Sequence, residues 1–349
     1  MKLLVAHNAV AATESDPSTL DVLEQVRHIS EALTRAGHRA EPLPFDRDLR
    51  AVLERIERAR PDMIFNLVES VEGDARLHPA AAAFFELLGI AHTGSPARAL
   101  ELSTDKHLSK VLLHAAGVPT PEWVSCGGGG EASPGKGAAC CAPTNDGAFR
   151  GVPGPWILKP AQEDASIGID EDSVVRDPAA LPVKLAQMRQ RFPTQPILVE
   201  RYIEGREFNV SLLAAPGGAQ ALPVAEIVFD GYGPGKERVL GFRAKWDSAS
   251  PEYKNTRRSY DHPAADAALV ERVRRTSLAC WGLFGLRGYA RVDLRVDDSG
   301  KPYVIEINTN PCLSPDAGFA AAAERAAIPP ERMVRHILED AVCLPRQPN

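Results

Sequence analysis

The sequence predicts an α/β (α+β) fold, and three observations support this class. Strand-like and helix-like segments alternate through the first hundred residues, which is typical of a doubly wound parallel sheet. A long β-hairpin with one polar face follows near the other end, within residues 288–315. The length of 349 residues suggests two to three domains with a sizeable core.

The bulk properties exclude several classes of protein. The composition is that of an ordinary globular protein, and a net charge of -6 gives no electrostatic reason to expect nucleic acid or an anionic membrane as a partner. The apolar run at residues 1–10 is too short for a signal peptide or a membrane span. The six cysteines have no zinc-ligand spacing, so we expect a reduced, cytoplasmic protein.

The first hundred residues predict a small doubly wound domain that ends near residue 103. Strands are expected at residues 2–6, 38–43, 62–68 and 90–93, and helices at 20–36, 50–59 and 80–88. No glycine-rich dinucleotide fingerprint follows the first strand, which argues against a nicotinamide cofactor.

The next segment is a capped helix followed by a change in composition. The run from Ser103 to Lys106 supplies capping residues, and Gly117 closes the helix. Residues 125–154 are rich in glycine and small residues, which predicts a flexible surface insertion. The four glycines at 127–130 are not a phosphate-binding motif, because no Lys-Ser/Thr pair follows them.

Residues 155–210 predict a strand, a loop, a helix and two strands joined by a turn. The strand at 155–160 carries Lys159, and the loop at 161–169 consists mainly of small residues. Backbone N–H groups of such a loop can close over a triphosphate, with the lysine beneath it as a cation. A helix through about residue 191 and the strands at 197–203 and 206–210 follow.

The hairpin near the C-terminus carries the most specific pattern in the chain. Alternation puts Asp293, Glu306 and Asn308 on one face, at diagonal spacings of roughly 7–8 Å, beside Arg291. Two carboxylates and an amide oxygen form a hard-oxygen site suited to Mg²⁺ that carries a polyphosphate. The alternative is an alternating strand whose polar face is only hydrated, although a lone charge at Glu306 in an apolar run would be costly.

These motifs resemble the ATP-grasp ligases, and within them the D-alanine–D-alanine ligase-like group. The resemblance covers nearly the whole chain and is most specific between residues 155 and 315. It implies an ATP-grasp fold, in which a doubly wound pre-ATP-grasp domain precedes two α+β lobes that clasp ATP. The expected boundaries are 1–103 for the first domain, 104–210 for the central ATP-binding lobe with the insertion at about 125–154, and 211–349 for the catalytic and metal-binding lobe.

The resemblance also assigns roles to individual residues. Glu200 is expected near the adenine amino group, Glu207 at the ribose hydroxyls, and backbone groups around Tyr202 and Ile203 at the base. Taken alone, Lys106 would be a solvated helix lysine, and the two glutamates would be hairpin surface residues. The full set implied is Lys106, Lys159, Glu163, Ser166, Gly168, Glu200, Tyr202, Ile203 and Glu207 for the nucleotide, Arg291 and Lys245 for catalysis, and Asp293, Glu306 and Asn308 for metal.

The implied reaction activates a carboxylate with ATP as an acyl phosphate, which an amine then attacks. ATP and Mg²⁺ are the expected cofactors, with two ions bound and Mn²⁺ as a substitute. The expected partners are small-molecule carboxylates and amines, with no nucleic acid and no membrane, and a homodimer is left open. The alternatives are an authentic D-alanine–D-alanine ligase and a catalytically inactive ATP-binding regulatory protein.

The chain departs from the family pattern where substrates are recognised. Ala165 and Trp246 stand at the positions of a serine and a tyrosine that surround the first substrate, although Ser166 is adjacent to Ala165. Cys312 replaces a usual glycine, and the serine for the second substrate is replaced near Asp316. The family's N-terminal glutamate has no clear match, and only Glu14, Asp16 and Asp21 are neighbours. We therefore expect matched activation chemistry with altered substrate recognition.

Overall fold

The computed structural model describes residues 1–10, 17–127, 152–233 and 235–342. Most of the expected insertion, together with Glu14 and Asp16, lies outside these residues. None of the helices among these residues combines the length and the hydrophobicity that a membrane span needs.

The first sheet is parallel and three-stranded, with strand order β2–β1–β3. Its elements are β1 (Lys2–Asn8), α1 (Pro17–Arg35), β2 (Arg39–Phe45), α2 (Leu49–Ala59), β3 (Met63–Asn66) and α3 (His78–Leu87). The interior of β1 is buried without interruption, as expected for a central parallel strand covered on both faces.

The strand expected at residues 90–93 is wrong. His92 makes only isolated bridges, to Ile64 and to Val342. The segment is too short to extend the ladder, because Gly94 turns the backbone with a φ of 80°. An unpredicted helix, α4 (Ala97–Thr104), starts directly after the turn.

Helix α5 (Lys106–Ala115) follows α4 after a single residue, Asp105. The Asp105 side chain accepts hydrogen bonds from the backbone N–H groups of His107 and Leu108, which caps α5. The predicted cap is therefore present. It fixes the start of α5 and with it the position of Lys106, the first residue of the helix.

The second sheet is antiparallel and has the order β4–β7–β5–β6. Its elements are β4 (Trp123–Cys126), β5 (Trp156–Pro160), β6 (Val174–Val175), α6 (Leu181–Arg191) and β7 (Ile197–Arg201). Leu181, Leu185 and Met188 of α6 join the apolar core beneath this sheet. The opposite face carries Lys159 and Glu200, whose side chains lie in the cleft described below.

The third sheet is antiparallel, with the order β11–β10–β8–β12–β13 and with β9 paired to β8. Its strands are β8 (Arg206–Ala215), β9 (Gly218–Ala221), β10 (Ala225–Phe229), β11 (Thr256–Ser259), β12 (Tyr289–Val296) and β13 (Pro302–Asn308). The helices of this region are α7 (Phe242–Trp246), α8 (Pro251–Lys254), α9 (Ala267–Phe284), α10 (Gly318–Arg325) and α11 (Pro330–Glu339). The segment at 251–260 is mostly a short helix and an edge strand.

The register of the hairpin brings its polar residues closer together than the expected diagonal spacing. Arg291 pairs directly with Asn308, and Asp293 pairs directly with Glu306. A β-bulge follows, because the next pair is Leu294 with Val304. Directly opposed residues have Cβ atoms about 5 Å apart, so the two carboxylates face the same small volume.

One apolar core connects the first sheet with the C-terminal helices. Leu3 and Phe65 of the first sheet belong to the same buried cluster as Phe319 and Ile337. The ring of Tyr289 packs edge-on against Phe319, with ring centroids 5.6 Å apart. This packing fixes the start of β12, and hence the polar face of the hairpin, against the N-terminal region.

Candidate active site

A cleft with about 640 Å³ of space separates the second sheet from the third. Strands β5 and β7 form one wall, and β8, β12 and β13 form the other. The expected site residues that line it are Lys106, Lys159, Ser166, Glu200, Tyr202, Ile203, Glu207, Lys245, Asp293 and Glu306. Glu163, Gly168, Arg291 and Asn308 are absent from the lining formed by the described residues.

The hinge between β7 and β8 is held by Arg295, a residue that was not expected in the site. Its guanidinium donates to the carbonyl of Ile203 at 2.6 Å and to Glu207 Oε2 at 3.0 Å. It also stacks over the Tyr202 ring, 4.8 Å from the ring centroid. Burial raises the pKa of Glu207 above its ordinary value, and Arg295 opposes that rise.

The backbone of the hinge leaves one donor free for a ligand. Among the described residues, the N–H of Ile203 has no hydrogen-bond partner, whereas the N–H of Tyr202 donates to Pro155 O at 2.7 Å. A free buried N–H on a cleft wall is a ready donor for a heterocyclic nitrogen.

Glu200 is enclosed by two lysines rather than exposed on a hairpin. Its carboxylate oxygens lie 2.6 Å from Lys110 Nζ and 2.5 Å from Lys159 Nζ, and all three side chains are buried. Burial raises the pKa of Glu200, but the two ammonium groups outweigh it, so the pKa lies below its ordinary value. Both oxygens are occupied, so contact with an adenine amino group would have to share them.

Lys106 and Glu306 form the link between α5 and the hairpin. Their charged atoms are 3.0 Å apart. Burial lowers the pKa of Lys106, but Glu306 and Asp164 outweigh that effect, and the pKa lies above its ordinary value. Burial would raise the pKa of Glu306, yet Lys106 and Lys245 hold it at about 2, so this carboxylate is ionised.

Arg291 and Asp293 form a bidentate pair at one end of the cleft. The guanidinium donates to Oδ1 of Asp293 at 2.7 Å and to Oδ2 at 2.8 Å. Asn209 and Asn308 add hydrogen bonds of 2.8 and 3.1 Å to the same carboxylate. Four donors fix the carboxylate, and Arg291 keeps part of its guanidinium for other contacts.

The loop at residues 161–169 is tied down over the cleft. Lys106 donates to the carbonyl of Glu163, whose side chain accepts from Gln195 at 2.6 Å. Ser166 Oγ donates to Leu240 O at 2.9 Å, and Ala165 and Ser166 have φ values of 55° and 62°. Two successive non-glycine residues in the left-handed region are uncommon and indicate a loop held by its surroundings.

Gly168 has a structural role in this loop. Its φ is 76°, and a Cβ atom there would lie 2.6 Å from the ring of Phe192. The residue is needed for the turn and for the close approach of this ring. These observations do not test the nucleotide contact expected of Gly168, which stays a prediction.

The family of the chain follows from comparison with known proteins. A family profile described as "D-ala D-ala ligase C-terminus" matches residues 112–339. This chain belongs to the D-alanine–D-alanine ligase family. It is 33% identical over 316 residues to the uncharacterised protein y4sG of Sinorhizobium fredii, covering 89% of this chain and 85% of that one. It is 29% identical over 311 residues to a D-alanine–D-alanine ligase of a Synechococcus species, covering 89% and 86% of the two chains.

The fold is shared with solved ligases. The D-alanine–D-alanine ligase from Bacillus anthracis complexed with ATP superposes with a TM-score of 0.70 at 21% identity, covering 97% of both chains. The expectations of an ATP-grasp fold and of an ATP-dependent ligase that forms an amide bond are confirmed.

A polar network joins α1 to the segment that follows the hairpin. Asp21 accepts from Ser314 Oγ at 2.7 Å and from the Cys312 thiol at 2.9 Å. Gln25 donates to Glu69 at 3.0 Å, and burial raises the pKa of Glu69 to about 7. Of the three N-terminal acids considered from the sequence, Asp21 thus contacts the residues that follow the hairpin, whereas Glu14 and Asp16 lie outside the described residues.

Trp246 replaces the expected tyrosine with a different hydrogen bond. Its indole Nε1 donates to the carbonyl of Ala165 at 3.2 Å. The large ring thereby holds the strained part of the loop from the side of α7. The substitution changes the shape of the site without leaving the indole donor unpaired.

Sequence reasoning missed Arg295, Lys110 and Glu69. A signal existed for two of them, since Arg295 shares the polar alternation of β12 and Lys110 lies one helical turn after Lys106. No signal marked Glu69, because its partner Gln25 comes from a helix distant in sequence.

The donors on the hairpin fit a hard divalent cation. Asp293, Glu306 and Asn308 offer carboxylate and amide oxygens on one face, and Glu306 is ionised at neutral pH. Arg291 or one of the two asparagines must release its hydrogen bond to Asp293 before that carboxylate can take a metal. In the described residues there is no cluster of three or more His, Cys, Asp or Glu side chains with metal-binding geometry.

Proposed function

We propose that this ligase is an ATP- and Mg²⁺-dependent enzyme that joins a carboxylate to an amine through an acyl phosphate, with an amino acid or small peptide-like molecule as substrate. The observation that carries the proposal is the convergence of Lys106, Lys159 and Lys245 with Asp293 and Glu306 in one cleft. Cations for phosphate oxygens thus lie beside oxygen donors for a metal, which is the arrangement that phosphoryl transfer requires.

The nucleotide base is assigned to the hinge end of the cleft. The free N–H of Ile203 can donate to a ring nitrogen, and the apolar wall of Ile157, Val239 and Leu240 can flank the ring. Glu207, held by Arg295 through one oxygen, keeps its other oxygen for ribose hydroxyls. This end therefore suits a nucleoside, and the lysine-rich end suits its phosphates.

The metal ligands assigned here are Asp293, Glu306 and Asn308, with two Mg²⁺ ions expected and Mn²⁺ as a substitute. Mg²⁺ held by these residues would supply positive charge for the transferred phosphate. Lys106 already compensates Glu306 in the protein alone, so the hairpin can exist without an unpaired buried charge.

The protein's own groups then act on two successive steps. In the first, the substrate carboxylate attacks the terminal phosphorus and ADP leaves, while Lys159 and Lys245 hold phosphate oxygens. In the second, the amine attacks the acyl carbon, and Arg291 stabilises the oxyanion before phosphate departs. Such electrostatic stabilisation is worth about 3–4 kcal/mol, and no side chain needs to act as a covalent nucleophile.

D-alanine is not proposed as the preferred substrate on both sides of the bond. The serine and tyrosine positions hold Ala165 and Trp246, and the Trp246 indole is engaged with the loop backbone. Near the second-substrate position, Arg258 donates to the carbonyl of Asp316 at 2.6 Å. These groups differ from those that would pair the ammonium and carboxylates of D-alanine, and unpaired buried charges are strongly disfavoured.

The test is a screen of amino-acid pairs for ADP release, with mass spectrometry of the products. The proposal expects ADP and an amide product for at least one pair other than two D-alanines. Comparable or faster turnover with D-alanine alone would favour the authentic D-alanine–D-alanine ligase. ATP binding without turnover for any pair would favour a regulatory ATP-binding protein.

The three-part division at residues 103 and 210 is also proposed, as is the homodimer considered from the sequence. Limited proteolysis would test the boundaries, and sedimentation equilibrium would test the dimer. Cleavage confined to sites far from these boundaries, or a monomer at all concentrations, would contradict them.

A further inference from the structure

Lys110 is buried next to Glu200, a residue that lines the cleft that would hold ATP. Its side chain is 3% exposed, and it is absent from the cleft wall formed by the described residues. Its ammonium is instead satisfied by Glu200 at 2.6 Å, by Thr120 Oγ1 at 2.8 Å and by Pro121 O at 3.3 Å. Two hydrogen bonds and one ion pair thus engage the ammonium within the protein.

The surroundings of Lys110 are rigid. The Thr120 hydroxyl in turn donates a hydrogen bond to Val304 O of the hairpin at 2.8 Å. The Lys110 ammonium also lies over the Trp123 ring, 5.6 Å from its centroid. Lys110 thus joins α5 to β4 and to the metal-binding hairpin, in a fixed geometry.

The charge balance around Glu200 explains why a second lysine is useful. Lys159 and Glu200 alone would be a neutral buried pair, and a neutral pair attracts a polyphosphate weakly. With Lys110 on the other oxygen, the group Lys110–Glu200–Lys159 carries a net charge of about +1. Lys159 lines the cleft, and its ammonium shares the negative charge of Glu200 with Lys110.

We propose that Lys110 is a positioning residue for ATP: it takes half of the Glu200 carboxylate, so that Lys159 keeps its orientation and its attraction for the ATP phosphates. This inference rests on the proposed function, because it assumes that the cleft binds ATP. It adds a residue that never touches the nucleotide and acts only through Glu200 and Lys159.

The arrangement has a consequence for pH. Burial lowers the pKa of Lys110 to about 8, opposed by Glu200 and aided by Lys159. The charged and aromatic groups that face it are Glu200, Lys159, Glu122 and the ring of Trp123. Above pH 8 Lys110 loses its proton, and the remaining pair becomes neutral. The value of kcat/KM for ATP, which reports on the free enzyme, should therefore fall as pH rises through 8.

The first experiment measures binding without turnover. Lys110→Met should weaken binding of ADP and of a non-hydrolysable ATP analogue by at least tenfold, while adenosine, which has no phosphate, binds within twofold of wild type. The matched control is Lys184→Met on α6, which should change neither. Equal ADP affinity in wild type and Lys110→Met would overturn the inference, and loss of adenosine binding as well would show a merely structural role.

The second experiment asks whether removing Glu200 rescues the loss. In Lys110→Met/Glu200→Gln, Lys159 has no counter-charge, so ADP should bind at least threefold more tightly than it binds to Lys110→Met. Failure to recover, with adenosine binding intact, would contradict the charge argument.

The third experiment needs no loss-of-function variant. Wild type should lose about tenfold in kcat/KM for ATP between pH 7 and 9.5, and Lys110→Arg, which stays charged, should lose less than threefold. The same loss in both proteins would assign the titration to another group, such as Lys245, and would overturn the inference. If wild type binds no ATP at all, the proposed function fails instead.

Discussion

Asp293 and Glu306 face each other across neighbouring strands, one residue before a β-bulge interrupts the pairing of β12 with β13. The bulge changes the direction of the residues beyond it, and the Arg291–Asn308 pair precedes it on the same face of the hairpin. Each carboxylate has a cationic partner of its own, Arg291 for Asp293 and Lys106 for Glu306.

The ribose assignment predicts a selective effect of Glu207→Ala. Loss of a charge-assisted hydrogen bond costs about 1.5–3 kcal/mol, so the KM for ATP should rise about tenfold to a hundredfold. The hinge should stay folded in this variant, because Arg295 still donates hydrogen bonds to the carbonyls of Ile203 and Arg238. The control is Glu204→Ala, an exposed glutamate of the same hinge. An unchanged KM in Glu207→Ala would refute the assignment.

The phosphate assignment predicts a different effect of Lys159→Ala. This change should weaken ATP binding and slow turnover together, because the lysine contacts the phosphates in both the bound and the reacting state. Steady-state kinetics at varied ATP provides the measurement. A variant that binds and turns over ATP as wild type does would show that Lys159 is only a structural partner of Glu200.

The raised pKa of Glu69 predicts that the stability of the protein depends on pH. Its folded pKa of about 7 lies above the unfolded value of 4.5, so the folded state binds an extra proton between these values. The contribution of Glu69 to the free energy of unfolding should therefore be fully present below pH 4.5 and be lost as pH rises through about 7. Glu69→Gln, measured by urea unfolding at pH 8, should be more stable than wild type by about 1–2 kcal/mol.

The control for that measurement is Glu72→Gln, a neighbouring glutamate whose side chain is 53% exposed. It should change the stability by less than about 0.5 kcal/mol. If Glu69→Gln is no more stable than wild type at pH 8, the Glu69 carboxylate is hydrated or paired in solution.

The contact between Trp246 and Ala165 predicts that Trp246→Phe loosens the loop. The phenyl ring keeps most of the apolar contact but cannot donate to the Ala165 carbonyl. Loss of one neutral hydrogen bond costs about 1 kcal/mol, which corresponds to a rise of about fivefold in the KM for ATP. Trp246→Tyr keeps a donor and provides the comparison. Identical KM values in wild type and Trp246→Phe would show that this hydrogen bond does not contribute to ATP binding.

Local patterns explain which parts of the fold could be predicted. The hairpin followed from its alternation and turn, and the α5 cap followed from Asp105, because both depend on neighbours in sequence. The strand at 90–93 was wrong because an apolar run alone does not show that Gly94 turns the chain. Helix α4 was missed because its start is set by the turn before it.

Long-range contacts explain what could not be predicted about the site. The alternation put Asp293 and Glu306 on one face, but it could not reveal the bulge that decides their spacing. Glu200 was expected at the adenine, yet Lys110 and Lys159 occupy both of its oxygens. The sequence also could not show that the Phe192 ring packs against Gly168 and leaves no room for a side chain there. None of these partners is adjacent in sequence.

The formation of an acyl phosphate at the Asp293–Glu306 pair is the central claim, and hydroxylamine trapping tests it most directly. With ATP, Mg²⁺, a carboxylate substrate from the screen and hydroxylamine in place of the amine, wild type should form the acyl hydroxamate and ADP in equal amounts. Asp293→Asn and Glu306→Gln should lose at least a hundredfold in rate while remaining folded. Asp298→Asn, an exposed acid in the turn of the same hairpin, should keep the wild-type rate. Normal Mg²⁺-dependent hydroxamate formation by Asp293→Asn or Glu306→Gln would contradict the account.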